Sequence, residues 1–103
     1  MEIIVHGHRY RLLEDDTMYH HTNNYAKHRI TDLSITYDPS MKKTVIGEGI
    51  FHELMEATNY WCNTNLDHKD LTLISMFLYG ILKENPNLRK LLFEELNEVE
   101  NAE

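Results

Sequence analysis

The spacing of hydrophobic positions changes near residue 44, which divides the chain into two parts with different predicted structures. In the first part, the apolar run from Ile3 to Val5 and the alternating Tyr10 and Leu12 lie on either side of Gly7. Short apolar segments separated by a glycine turn are typical of a β-hairpin. Two short strands joined at Gly7 are therefore predicted.

A third segment with strand character runs from His28 to Tyr37, where β-branched residues are frequent, and ends at Asp38-Pro39-Ser40. The residues before it, Glu14 to Lys27, are polar, show no periodicity and contain Asn23-Asn24. Such a stretch predicts a long loop, of about the length that is usually functional or mobile. Residues 1–43 are thus expected to be strand-rich with one long loop.

From Thr44 to Asn63 the apolar residues recur at three- and four-residue intervals, which is the spacing of an amphipathic helix. They are Val45, Ile46, Ile50, Phe51, Leu54, Met55, Thr58 and Trp61. Gly47 and Gly49 lie within this helix, although each costs about 1 kcal/mol relative to alanine. We expect these two glycines to let a strand or a neighbouring helix approach closely.

Two further helices are predicted after residue 66. Asp67 is a good N-cap for the first of them, and Asn85-Pro86 ends it and begins the next. The predicted inward-facing residues are Leu71, Ile74, Leu78, Ile81 and Leu82, followed by Leu88, Leu91, Leu92, Leu96 and Val99. The predicted fold is therefore α+β, with a small antiparallel sheet of about three strands followed by three helices. The 103 residues are expected to form a single domain, with a helical part over residues 44–100.

Charge and composition exclude several classes of partner. A formal net charge of −7 argues against a nucleic-acid backbone, since that affinity comes from Lys and Arg on phosphates. No apolar stretch approaches the roughly 20 residues that span a bilayer, and the N-terminus lacks the pattern of a signal peptide. The single cysteine, Cys62, fits a reducing compartment. The sequence thus predicts a cytoplasmic protein without a nucleic-acid or membrane partner.

The candidate chemistry lies in the middle of the first long helix, at His52, Glu53 and Glu56. His52 and Glu56 are four residues apart and share one helix face, with Glu53 about 100° further round. This is the geometry by which H-E-x-x-H binds zinc and presents its glutamate as a general base. His68 begins the next helix, which antiparallel packing would bring back toward the first. Two histidines and one carboxylate form a known catalytic zinc arrangement with water in the fourth position.

Each of these residues also has a structural interpretation. His52, Glu56 and His68 can form a hydrogen-bonded cluster that satisfies polar groups in a core without any metal. Glu53 can be a surface residue that pairs with Lys43 or Lys69. The sequence leaves these alternatives open beside the metal site.

The remaining chemistry-bearing residues have weaker patterns. Five other histidines could form a second metal site, although loop histidines without helical spacing are usually solvated: His6, His8, His20, His21 and His28. Cys62 shows no pairing with a histidine in the sequence, so an inert core role is favoured over a nucleophile. Tyr25 and Tyr37 could stabilise an oxyanion beside a metal, on residue type alone.

Four stretches of this chain resemble a family of small zincin-like phage and prophage proteins that are regarded as metallopeptidases. They are ITYDPS at 35–40, FHELMEATNYW at 51–61, LDHKDL at 66–71 and LYGILKENPNL at 78–88. In that family a D-P-S-like turn leads into a helix carrying H-E-L-x-H-A or H-E-L-x-E-A-x-N. A second helix then ends in a pattern like G-L-x-x-x-L-x-x-N-P. The resemblance covers roughly residues 28 to 88.

The resemblance implies a minimal zincin-like domain in which zinc, or another divalent metal, is held by His52, Glu56 and His68. It also implies that Glu53 takes a proton from metal-bound water. Family members with H-E-x-x-H take their third ligand from a glutamate near the start of the following helix. Here Glu56 and His68 have exchanged those positions, and the set of two imidazoles and one carboxylate survives the exchange.

Two functions follow as expectations. The first is a zinc-binding protein of phage or prophage origin, in the cytoplasm of a bacterial host, that hydrolyses a peptide or amide bond. The second is a non-enzymatic interaction protein that keeps the zincin scaffold and binds a host or phage protein. In the second case the acidic surface and the loop from Glu14 to Lys27 would be the binding elements.

Overall fold

The computed structural model describes the backbone of residues 1–102 and the side chains of residues 1–94. It contains four strands and four helices, and the predicted α+β class is confirmed. In chain order these are β1 (Glu2–Val5), β2 (His8–Glu14), α1 (Met18–Thr22), β3 (Ala26–Arg29), β4 (Ser34–Tyr37), α2 (Lys43–Cys62), α3 (His68–Glu84) and α4 (Pro86–Ala102).

The four strands form one mixed sheet in the order β1-β2-β4-β3. β1 and β2 are the predicted hairpin, and Gly7 in its turn has a φ of +82°, which favours glycine. β3 and β4 pair antiparallel, whereas β2 and β4 run parallel. The expectation of an antiparallel sheet of three strands was therefore wrong in strand number and in one pairing, because β4 inserts between β2 and β3.

The difference arises between residues 14 and 37. The predicted single strand from His28 to Tyr37 is two strands joined by a turn at residues 30–33, which contains neither glycine nor proline. Leu33 in this turn has a φ of +51°. Asp32 accepts a hydrogen bond from the Ser34 hydroxyl at 2.8 Å, which supports the reversal. Asp32 is the one turn-favouring residue in this stretch, and the β-branched residues around it outweighed that local signal.

The predicted loop from Glu14 to Lys27 contains the short helix α1 and the start of β3. Tertiary contacts hold α1 in place, since Met18 is buried and the backbone N–H of Tyr19 donates to the Asp38 carboxylate at 3.1 Å. Asp38 is itself buried and accepts two further hydrogen bonds from the backbone and hydroxyl of Ser40. The Asp-Pro-Ser segment thus ends β4 and anchors the loop beside it.

The core lies between the sheet and α2. Val5, Tyr10, Ile35 and Ala57 are buried in it, with Leu54 and Trp61 packed alongside. A chain of polar contacts crosses this core: the Trp61 indole N–H donates to the Tyr10 hydroxyl at 2.8 Å. Because that hydroxyl accepts from Trp61, its own proton is donated to His28 Nε2 at 2.7 Å. The chain joins α2 to both β2 and β3.

The two glycines of α2 are close-approach positions, as predicted. A Cβ built at Gly49 would lie 3.1 Å from a ring carbon of Tyr25 and 3.3 Å from the Cβ of Ala26. A Cβ at Gly47 would collide with the Tyr79 hydroxyl of α3. One glycine therefore lets α2 approach the start of β3, and the other lets it approach α3.

The helix boundaries after residue 42 agree with the sequence prediction, and the Asp67 carboxylate caps α3 by accepting from the Asp70 backbone N–H at 2.8 Å. The predicted inward stripes were partly wrong, because Leu71 is buried but five of the other residues are exposed: Leu78, Ile81, Leu88, Leu91 and Leu92. The predictions for Leu96 and Val99 fall outside the described side chains.

Among the described residues, no helix combines the length and the apolar character needed to cross a membrane.

The hydrogen-bonded chain through Tyr10 gives a stability prediction. Tyr10→Phe leaves the Trp61 indole N–H and His28 Nε2 without a partner inside the core, so the free energy of unfolding should fall by about 1–3 kcal/mol. Urea denaturation followed by the fluorescence of Trp61 measures it. Tyr60→Phe is the matched control, because Tyr60 is 57% exposed and should change the stability little. Equal stability of the two variants would contradict the role assigned to the chain.

Candidate metal site

Helix α2 presents His52 and Glu56 on one face, next to α3. Because the two residues are four positions apart, their side chains meet, and His52 Nε2 lies 3.3 Å from Glu56 Oε1. Both side chains are partly buried, at 20% and 27% exposure. The helix alone therefore supplies a paired imidazole and carboxylate at the α2–α3 junction.

The connection between α2 and α3 decides where the next helix begins. Asn63 and Asn65 both have positive φ, a conformation that asparagine adopts more readily than most residues. The Asn59 side chain binds the backbone of this connection at Leu66. Its oxygen accepts from the Leu66 backbone N–H at 3.0 Å, and its amide donates to the Leu66 carbonyl at 3.1 Å. Asn59 is thus a positioning residue for the start of α3, a role that the sequence analysis did not assign.

His68, the first residue of α3, completes the group. Its Nδ1 lies 3.1 Å from the same Glu56 Oε1, and its ring meets the His52 ring edge-on with centroids 5.1 Å apart. One ligand atom from each of the three residues lies within 4.8 Å of the others. Ligands about 2.0–2.1 Å from a tetrahedral zinc stand roughly 3.3 Å apart, so two of the three separations already suit a zinc ion.

The two imidazoles differ in exposure. Burial lowers the pKa of His52 below its ordinary value, against the attraction of the neighbouring Glu56 carboxylate. His52 is therefore neutral near pH 7, which is the form that binds metals. His68 is 78% exposed, so the group is open to solvent on that side. A fourth ligand such as water can approach from there.

Glu53 lies on the flank of the same helix and is partly buried. The pKa of its carboxyl is raised to about 7, first by burial and then by the negative charge of Glu56, against the lowering effects of His68, the backbone of His28 and the ammonium of Lys27. The alternative that Glu53 pairs with Lys43 or Lys69 at the surface was wrong, since neither ion pair is found among the described side chains. A carboxylate with a pKa near 7 suits a general base.

A groove of about 360 Å³ runs beside the three residues, between α2, α3 and the start of β3. We call it the site groove. His52, Glu53 and His68 border it, residues 23–26 form one wall, and Thr72, Ser75 and Met76 form the other. The Ser75 hydroxyl is buried and has no hydrogen-bond partner among the described residues. Tyr25 thus stands in the wall of the groove, whereas the Tyr37 hydroxyl is engaged elsewhere, donating to Glu14.

The other histidines do not assemble into a second metal site. Within the part of the chain that the structure describes, the only group of three or more ligand residues in range is His52, Glu56 and His68. His8 stacks on Trp61 with ring centroids 3.6 Å apart, and His28 accepts from Tyr10. His20 and His21 are exposed at the end of α1.

One pairing was invisible in the sequence. His6 Nδ1 lies 3.9 Å from the Cys62 sulfur, although 56 residues separate the two along the chain. The Thr58 hydroxyl donates to the Leu54 carbonyl, so it accepts from His6 Nε2 at 3.1 Å and leaves Nδ1 facing the thiol. The predicted core role of Cys62 was wrong, because Cys62 is exposed. Its contact with His6 arises because the hairpin turn folds over the end of α2.

Comparisons of this chain with protein-family models, with curated proteins and with solved structures found no match. The relation to zincin-like proteins stays a prediction from the four sequence stretches. Functional inference therefore depends on the geometry and electrostatics of the site itself.

The pKa of Glu53 predicts how stability depends on pH in protein stripped of metal with a chelator. Between pH 4.5 and about 7 the folded state holds a proton that the unfolded chain releases, so this group makes the fold less stable as pH rises through that window. Glu53→Gln removes the effect. At pH 4.5 much of the carboxyl is protonated in the folded and the unfolded state alike, so the comparison with pH 8 captures most of its contribution. The free energy of unfolding of the variant minus that of wild type should be about 2 kcal/mol larger at pH 8 than at pH 4.5, after allowance for the partial exposure of Glu53.

Thermal and urea unfolding at the two pH values measure this difference. Glu84→Gln is the matched control because Glu84 is exposed near the other end of α3, and it should change the stability little at either pH. If Glu53→Gln and wild type show the same pH dependence, the carboxyl of Glu53 is not perturbed by burial.

Proposed function

We propose that this protein is a zinc-binding, zincin-like domain that hydrolyses a peptide or amide bond. The observation that supports it most directly is the convergence of His52, Glu56 and His68, in which Glu56 Oε1 lies 3.3 Å from His52 Nε2 and 3.1 Å from His68 Nδ1. Two imidazoles and one carboxylate with an open fourth position are a catalytic rather than a structural zinc set. A phage or prophage origin and a bacterial cytoplasm belong to the same proposal, through the sequence resemblance.

The proposed reaction gives metal binding and proton transfer to different residues. His52, Glu56 and His68 would hold the ion, and zinc supplies a Lewis acid that lowers the pKa of a coordinated water toward about 7. Glu53, the carboxylate next to His52 on α2, would accept the proton that this water releases.

A peptide substrate suits the site groove. β3 is an edge strand of the sheet, and the segment that leads into it, with Asn23, Asn24 and Tyr25, forms a wall of the groove. Edge strands and neighbouring amide side chains can hydrogen-bond an extended peptide. The mixed polar and apolar lining fits a backbone flanked by side chains.

An interaction protein on the same scaffold is the second candidate. It is favoured by the contribution of residues 23–25, from the predicted binding loop, to the groove wall. In that function the groove binds a segment of a host or phage protein without cleaving it. The metal would then fix the α2–α3 junction, and Glu53 would have no chemical role.

Metal analysis of protein produced without a His-tag tests the first part of the proposal. Wild type is expected to carry about one equivalent of zinc, and His52→Ala less than about a tenth of an equivalent, because one of three ligands is lost. His21→Ala is the matched control and should keep its metal, since His21 is exposed on α1. Wild-type protein with less than about a tenth of an equivalent of any transition metal would refute the metal site.

Glu53→Gln separates the enzyme from the interaction protein. Loss of the general base should lower the rate of hydrolysis by about 10²-fold or more while the zinc content stays unchanged. Mass spectrometry of a mixture of unstructured peptides detects cleavage at any bond, whichever sequence the protein cuts. Zinc-loaded wild type that cleaves none of them, or a Glu53→Gln variant as active as wild type, would count against the hydrolase.

A further inference from the structure

Helix α4 adds length to the molecule and fills little of its core. It packs chiefly on α3, where the Arg89 guanidinium donates to the carbonyls of Leu82 and Lys83 at the end of that helix. The radius of gyration is 14.8 Å, against about 13 Å for a compact chain of this length. The principal extents of 46 × 29 × 28 Å show the same elongation.

The exposed sides of α3 and α4 carry a large apolar surface, which we call the α3–α4 face. It consists of Leu73, Met76, Phe77, Leu78, Ile81, Leu88, Leu91, Leu92 and Phe93. Leu73, Met76, Phe77 and Ile81 recur at helical spacing and line a shallow groove with Gly80. Phe77 is 68% exposed and Leu91 is 64% exposed. Apolar residues of this size and number in one region are typical of an interaction surface.

The extent of the face matches what a stable dimer needs. Its nine side chains are on average about half exposed. At roughly 200 Å² for each large apolar side chain, they present on the order of 900 Å². A standard protein–protein interface buries about 800 Å² on each partner. The face is therefore large enough for a complete interface and larger than the isolated apolar patches of a typical monomer.

Charge favours a second copy of this chain over a membrane. A net charge of −7 is repelled by anionic lipid. The described charges of α4 are engaged within one copy, since Arg89 donates to the carbonyls at the end of α3 and Lys90 pairs with Glu94 at 3.9 Å. A twofold interface must be complementary to itself. The apolar α3–α4 face meets this requirement, because its apolar side chains can cover the same side chains of a second copy.

We propose that the protein is a homodimer in which the α3–α4 faces of two copies cover each other. Met76 lines both the site groove and the shallow groove along α3. The second copy would consequently lie at the edge of the site groove. The dimer does not depend on the metal or on catalysis.

Sedimentation velocity of the full chain from about 1 to 100 μM, the range in which a dimer of this interface size is populated, tests the proposal. Wild type should sediment at twice the chain mass of 12.3 kDa. Phe77→Glu should be monomeric, because a charge at the centre of the face is buried without a partner. Ile4→Glu is the matched control, since Ile4 is equally exposed, at 65%, on β1 and should stay dimeric. Circular dichroism verifies that both variants are folded.

A second variant tests the part of the face that α4 contributes. Leu91→Glu places a charge on α4 where the leucine is 64% exposed, and it should also give a monomer. A wild type that is monomeric over the whole concentration range overturns the proposal. So does a dimer that survives Phe77→Glu, or a monomer that binds phospholipid vesicles or a different protein through this face. Zinc content is measured on the same samples, so failure of the metal site is distinguished from failure of the dimer.

Discussion

The structure depends on one helix being held closely on two sides. α2 contacts the start of β3 through Gly49 and contacts α3 through Gly47, and at neither glycine is there room for a side chain without displacement. The Trp61–Tyr10–His28 chain fixes the other end of the helix against the sheet. Because α2 is held on both sides, the residues on its α3-facing surface have a defined position relative to the sheet edge. His52 and Glu56 are those residues.

The site then depends on where α3 begins. One turn of helix is about 5.4 Å, so a shift of α3 by a single turn would separate His68 from the Glu56 oxygen that it now approaches at 3.1 Å. Asn59 and Asp67 prevent such a shift: the first binds both backbone groups of Leu66, and the second caps α3. Neither residue touches the ligand atoms. Their contribution is the register between the two helices.

Sequence reasoning located the helices, the hairpin and the His52, Glu56 and His68 set, because these depend on local periodicity, capping and helix spacing. It placed the two glycines of α2 correctly for the same reason. It missed the reversal after Arg29, which has no glycine or proline, and α1, which is held by the buried Asp38. The contact of His6 with Cys62 joins residues 56 positions apart. Long-range contacts of this kind arise from packing, which no local pattern encodes.

The arrangement around Glu53 favours a functional site over a purely structural cluster. A cluster kept only for stability is expected to be closed and satisfied, since burying an acid beside another carboxylate weakens the fold. Here His68 is 78% exposed and the pKa of Glu53 is raised to about 7 by burial and by Glu56. A divalent cation between His52, Glu56 and His68 would offset that repulsion directly, because it is the largest local charge a site can hold. Under the proposed function, the raised pKa of Glu53 is therefore a feature that a bound cation would relieve.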